Sequence, residues 1–265
     1  MQVTVLLENT ASRPDMMTEH GLSLYIETGA QKLLFDMGQT DLFARNALAL
    51  GIDLEAVDMA FLSHGHYDHG GGLARFLELN DTAPIYASAH AFEPHCAGDD
   101  RYIGLDPVLA LNPRFTFVED RLTIDETLSL HSCNDLPRPY PSDSGGLIML
   151  VEGKMVQDDF RHEQYLLIRE GGRRILISGC SHKGILNIMD WFRPDVLIGG
   201  FHFMNIDPDE EGREILSQRA DALLSYPAVY YTCHCTGVPQ YEYLKTLMGE
   251  RLHYLSCGQA LTLPL

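Results

Sequence analysis

The sequence predicts an α/β protein built of two β layers with helices on their outer sides. Short apolar runs of strand length alternate with longer stretches whose apolar residues recur at helical spacing. Several of the runs end in loops rich in glycine and histidine, as expected where strand ends carry function in layered folds. No repeat of solenoid period, low-complexity tract or Pro/Ser-rich linker breaks the 265 residues. One domain spanning 1–265 is therefore the simplest packing.

VTVLLE (3–8) reads as the first strand. Residues 22–38 hold two apolar runs around Thr28-Gly29-Ala30-Gln31, a hairpin pattern. Residues 41–51 have apolar positions at helical spacing and end on Gly51, a C-terminal cap signal. VDMAFLSH (57–64) is a strand that delivers SHGHYDHGGG (63–72) at its C-terminal end. A helix over 71–79 and a strand over 84–90 follow. Residues 91–113 have scattered Pro, Asp and Gly without a period, which predicts an insertion loop or lid. RFTFVED (114–120), RLTIDETLSLHS (121–132), GLIMLVEG (146–153) and EQYLLIREGGRRILISG (163–179) supply a run of strands, with Gly171-Gly172 as a hairpin turn. The chain is completed by a helix over 185–192, a strand over 195–200, a charged amphipathic helix over 209–225, a strand over 228–234, a helix over 240–248 and a final strand over 252–263.

A chain of this length with 45% hydrophobic residues buries a substantial core without disulfides. Its six cysteines show no disulfide framework and are expected to be reduced. The formal charge of −18 argues against general nucleic-acid or anionic-membrane binding, since both reward a basic face. A phosphate-bearing substrate would need a bound metal or a local Arg group to offset that field, and Arg173 and Arg174, or histidines near the metal, are candidates. The N-terminus lacks a basic signal-peptide region, and no apolar run approaches the ~18 residues of a membrane span. A small-molecule substrate and a cytoplasmic location are the default expectations.

The histidines fall where strands end. His64, His66, Asp68 and His69 follow one strand; Cys180 and His182 follow a second; His202 follows a third; Cys233, His234 and Cys235 close a fourth. Imidazoles at 64 and 66 on a turning loop can face one ion, and Asp68 and His69 a second. His20, His90, His95, His131 and His253 read as ordinary surface or core histidines. Cys233 and Cys235 read as packing residues. No G-x-S-x-G elbow supports serine catalysis, and SGGL (144–147) is only a turn before a strand.

Ser63-His64-Gly65-His66-Tyr67-Asp68-His69-Gly70 resembles the HxHxDH signature of the metallo-β-lactamase superfamily. LLFDMG (33–38) resembles its strand ending in Asp-x-Gly. GCSHKGILNI (179–188), GGFHF (199–203) and YYTCHCTG (230–237) resemble a narrower subgroup, whose prototype is the dihydropterin–ribofuranosylaminobenzene phosphate synthase of methanopterin synthesis. The resemblance implies an αβ/βα four-layer sandwich with metals at one edge between two mixed sheets. It also implies His64 and His66 in a first metal site, and Asp68, His69 and His234 in a second. The third ligand of the first site stays open: His182 is the first choice and His162 its rival, although RHEQ departs from the family's GHTxG at that point. Cys180 stands where relatives carry a bridging Asp or a Cys. His202 is a candidate metal or substrate contact, and Asp36 is expected to orient a ligand imidazole through its free N–H.

One or two divalent ions, zinc first with iron or manganese as alternatives, are the expected cofactor. The chemistry that follows is hydrolysis of an ester, thioester, lactone or phosphoester by an activated water, with Asp68 aiming it. A synthase-like transfer releasing pyrophosphate is the second reading, and a metal-binding sensor without catalysis the third.

Overall fold

Period-two alternation decides which face each strand turns toward the middle of the molecule. The computed structural model describes residues 1–98, 101–142 and 145–263. Val3, Val5, Leu33, Phe35, Leu166, Ile168, Ile175, Ile177, Val196 and Ile198 all enter one buried cluster. The intervening Leu34 enters a second, and Tyr165, Leu167, Leu176 and Leu197 a third. Successive side chains on a strand point to opposite faces. The first cluster is therefore the seam between two sheets, and the other two clusters lie on their outer sides.

The first sheet has the order Ala260–Thr262, Gln2–Leu7, Ser23–Glu27, Lys32–Phe35, Met59–Phe61, Ile85–Ser88, Phe115–Val118. The second has the order Leu252–Tyr254, Val229–Thr232, Val196–Ile198, Arg173–Ile177, Tyr165–Glu170, Leu128–His131, Arg121–Thr123. Each sheet is antiparallel in one half and parallel in the other. Helices Leu42–Ala49 and Leu73–Leu79 give Phe43, Ala47, Leu73 and Phe76 to the outer side of the first sheet. Helices Ile185–Phe192, Glu210–Leu224 and Val238–Met248 give Ile188, Met189, Leu216, Ala220, Leu244 and Met248 to the second. The result is the expected four-layer αβ/βα arrangement. No helix among the described residues is long and apolar enough to cross a membrane.

Three local expectations change. The helix expected at 71–79 runs over Leu73–Leu79 and is preceded by a separate single turn, Tyr67–Gly70, inside the motif. The closing strand divides. Gly258, at φ +82°, turns the chain so that Leu252–Tyr254 joins one sheet and Ala260–Thr262 the other. The stretch 91–113, of which residues 99–100 lie outside the described residues, is not structureless. His95–Cys96 pairs with Ile148–Val151, which pairs with Lys154–Gln157 in a small third sheet, and Pro107–Leu111 makes a 3-10 turn. Lys154–Gln157 is exposed throughout, so it carries no alternation to read. Ser144 of the SGGL stretch also lies outside the described residues.

Candidate metal centre

The strands that precede the histidines run parallel to their neighbours within each sheet, so their C-terminal loops leave from one edge. Asp36, Ser181, His202 and His234 lie just past strands with φ of +58°, +60°, +58° and +48°. Non-glycine residues in this left-handed region cost about 1–3 kcal/mol each, a strain common where side chains are aimed at a shared point. Gly179 is required by packing: a methyl there would overlap Ser63 Oγ and crowd His64 Nδ1.

Two side-chain groups meet at this edge. His64, His66 and His182 form the first, with His64 Nε2 and His182 Nε2 3.3 Å apart. In the second, His69 Nε2 lies 3.2 Å from His234 Nε2, and Asp68 Oδ2 lies 3.3 Å from His234 Nε2 and 3.7 Å from His69 Nε2. Cys180 Sγ stands 3.1 Å from His69 Nε2 and joins groupings with His64 and with His234, so it sits between the two. All seven residues are buried, Asp68 being the most exposed at 8%.

The hydrogen bonds behind these rings fix which nitrogen carries the proton. Asp36 is fully buried and accepts from Ser63 N–H (2.7 Å) and from the Ser63 hydroxyl (2.7 Å). Its Oδ2 also lies 2.7 Å from His69 Nδ1. A carboxylate only accepts, so His69 holds its proton on Nδ1 and turns the Nε2 lone pair inward. Ser63 has spent its single hydroxyl proton on Asp36. The 2.8 Å contact with His64 Nδ1 therefore makes that nitrogen a donor, and His64 Nε2 also faces inward as a lone pair. His234 Nδ1 lies 2.9 Å from Asn9 Oδ1, with the same consequence.

Such a set fits a divalent cation. Two nitrogens bound tetrahedrally at ~2.0–2.1 Å stand about 3.3–3.4 Å apart, which matches the Nε2 separations. Burial, then the neighbouring imidazoles, push His64 well below its ordinary pKa, and His182 likewise, so both stay neutral as ligands must. Burial also works against charge on His69, but the carboxylates of Asp36 and Asp68 outweigh it and raise its pKa. Asp68 is held low despite its burial by His69 and His234. His182 Nδ1 is buried without a hydrogen-bond partner.

Two buried glutamates, which the sequence does not advertise, hold the backbone of these loops. Glu8 Oε1 accepts from His234 N–H at 2.7 Å and from the Tyr254 hydroxyl at 2.7 Å. Glu163 accepts from His182 N–H at 2.7 Å and from Lys183 N–H at 3.0 Å. Neither has a motif: Glu8 closes an apolar run, and Glu163 stands between His162 and Gln164 just before one.

A further buried group lies behind His66. His95 Nδ1 is 2.8 Å from Asp158 Oδ2, and His162 Nε2 is 3.5 Å from the same oxygen. The His95 and His162 rings are 3.8 Å apart. His162 Nδ1 accepts from Gly65 N–H at 2.9 Å, so its Nε2 bears the proton in the neutral ring. That geometry sets His162 behind the motif loop, while His182 stands beside His64. His95, read as an ordinary histidine, belongs to this group. His20, read the same way, lies at the mouth, 3.4 Å from Asp68 Oδ2 and with its ring 4.6 Å from that of His234. His202 joins none of the ligand-type groupings found among the described residues, but its ring lies 4.4 Å from His182. The strand expected at 228–234 ends at Thr232, so His234 opens a 3-10 turn. Cys233 packs in the seam between the sheets, and Cys235 Sγ donates to the Cys180 carbonyl at 3.4 Å.

Comparison with known proteins agrees with this geometry. Residues 18–157 match the sequence profile of the metallo-beta-lactamase superfamily. An uncharacterised protein of Methanocaldococcus jannaschii is 31% identical over 245 residues, covering 89% of this chain and 90% of the relative. The 7,8-dihydropterin-6-methyl-4-(beta-D-ribofuranosyl)-aminobenzene-5'-phosphate synthase of the same organism is 29% identical over 248 residues, covering 83% and 82%. The solved structure of Tm1679, described as a metal-dependent hydrolase of the beta-lactamase superfamily, aligns with a TM-score of 0.84 and 28% identity over 99% of both chains. Profile, relatives and shared fold together make this chain a member of the metallo-β-lactamase superfamily.

Proposed function

We propose that this protein is a metal-dependent hydrolase of a small molecule carrying an ester, thioester, lactone or phosphoester bond. The observation that carries this reading is the pair of adjoining groups, His64–His66–His182 and Asp68–His69–His234, with the lone pairs of His69, His64 and His234 turned inward by Asp36, Ser63 and Asn9. In this reading each group holds one divalent ion, zinc, iron or manganese, and Cys180 stands between them. Ions held there supply Lewis acidity and lower the pKa of a water toward ~7. Asp68, the carboxylate nearest the mouth, accepts a hydrogen bond from the attacking water and aims it. His20 stands beside Asp68, placed to exchange a proton with solvent. Glu8 and Glu163 keep the His234 and His182 loops from shifting.

A second reading is a synthase-type transfer in which pyrophosphate leaves a pterin. The 29% identity to the named synthase favours it. One experiment tests both. The protein is stripped with chelator, reloaded separately with zinc, iron and manganese, and assayed on ester, lactone and phosphoester panels and on pterin pyrophosphates. Turnover lost on stripping and restored by metal supports the hydrolase, and pyrophosphate release supports the transferase. Turnover that survives complete metal removal refutes both. Tight metal binding without turnover on any panel would favour the sensor reading.

A further inference from the structure

A cavity of about 170 Å³ adjoins the one lined by His20, His66, Asp68 and His234, and shares His182 and His202 with it. Tyr140, Phe201 and Phe203 give it an aromatic wall, and Asn205 and Arg219 give it a polar one. Arg219 belongs to the helix Glu210–Leu224 and is partly buried. That helix also carries Glu210, Glu211, Glu214 and Asp221. Even so, Arg219 makes no hydrogen bond or ion pair with any of them, or with any other described residue. Arg219 thus sets a cation without an acidic partner at the cavity wall of a chain of net charge −18. A second orphan borders the same space: His182 is only 4% exposed and its Nδ1 has no partner.

The volume narrows the occupant. Pockets that enclose a drug-sized ligand run to about 300–1,000 Å³, so this one takes a portion of a substrate. Guanidinium forks match carboxylate and phosphate oxygens two at a time, and aromatic walls favour a flat or apolar neighbour. Arg173 and Arg174, which the sequence offers as anion contacts, do not serve. They begin the strand whose far end leads to Cys180 and His182, which sets them a strand's length away from this cavity.

We infer that the cavity bounded by Arg219, Asn205 and the Phe201–Phe203 wall is a recognition pocket for an acidic arm, phosphate or carboxylate, joined through a short apolar spacer to the bond that reacts beside His182. This deepens the hydrolase reading and rests on it only for the part the arm plays in turnover.

The test is calorimetric titration of phenylphosphonate, benzoate and benzyl alcohol into metal-loaded and metal-free protein, using wild type, Arg219→Gln and Arg219→Lys. Metal content of each is checked by elemental analysis. Arg219→Gln is expected to weaken the preferred anion by about 10- to 100-fold, the range for losing a charge-assisted hydrogen bond. The loss appears in both metal states, metal content is unchanged, and benzyl alcohol is unaffected. Arg219→Lys recovers part of the loss. A tighter phosphonate assigns a phosphate arm, and a tighter benzoate a carboxylate arm. Equal anion affinity in wild type and Arg219→Gln, or binding abolished by chelation and indifferent to Arg219, overturns the inference. Metal-dependent turnover alongside either of those results would leave the hydrolase reading standing. Arg219-dependent anion binding without metal-dependent turnover would sink the hydrolase and keep the pocket.

Discussion

Replacing Asp36 by Asn tests the site through a group that touches no substrate. Asp36 accepts three contacts at 2.7 Å, from Ser63 N–H, Ser63 Oγ–H and His69 Nδ1–H. An isosteric amide keeps one acceptor oxygen. The least costly arrangement leaves that oxygen on Ser63 N–H and turns the new NH2 toward Ser63 Oγ and His69 Nδ1. The serine hydroxyl can rotate to accept. His69 cannot rotate; it satisfies the amide only by moving its proton to Nε2. That proton then points at Cys180 Sγ and His234 Nε2, 3.1 and 3.2 Å away, and blocks the lone pair a cation would use. A tautomer reversed by Asp→Asn is known to disable a catalytic histidine while leaving its position intact. Outer partners of metal-binding histidines are worth about 10–100-fold in affinity, or ~1.4–2.8 kcal/mol. The expected result is that much weaker metal binding in a chelator-competition titration. Long-range 1H–15N spectra should show His69 protonated on Nε2 in the metal-free variant. Wild-type metal affinity with His69 still protonated on Nδ1 would refute the reasoning.

Three further outcomes are expected. Asp68→Ala removes the only carboxylate of the second group, so metal stoichiometry by elemental analysis should fall while the fold persists; unchanged stoichiometry contradicts the assignment. His182→Ala should lose metal affinity by at least about tenfold, whereas His162→Gln, behind the loop, should keep the metal count, and the reverse order would exchange their roles. His131 is held at about 4 by burial and then by Arg121 and Arg169. Its folded pKa lies below the unfolded value of about 6.5, so the stability it supports is complete above pH 6.5 and is lost as pH falls through 4. Discounted for its partial exposure, the loss is about 1–2 kcal/mol in urea titrations at pH 7 and 4. His131→Gln should lose correspondingly less, and equal losses in both proteins would reject the assignment.

The layered architecture was legible because strands buried on both faces read as short continuous apolar runs, as in Tyr165–Leu166–Leu167–Ile168, between stretches of helical period. The motif loop was legible because its histidines crowd into a few positions. The supports were not. Glu8 meets His234 across 226 residues, and Asp158 meets His95 across 63, so no local spacing marks them. His20 sits late in the long connection between Gln2–Leu7 and Ser23–Glu27, apart from any histidine cluster in the sequence. A single helical turn such as Tyr67–Gly70 is too short to show a period. The division of the closing strand is not legible because both halves have strand composition, and the positive φ at Gly258 that separates them shows only in the structure.

That divided tail has a cost in the order of events during synthesis. Ala260–Thr262 is the edge partner of Gln2–Leu7, which is synthesised long before it. Cys257, just before it, contacts the backbone of Glu8, whose carboxylate holds His234. The first sheet must wait, with that flank open, until Ala260–Thr262 has left the ribosome. Pairings between such distant segments form slowly, so the metal-ready pocket should be among the last features of a nascent molecule to acquire its final shape.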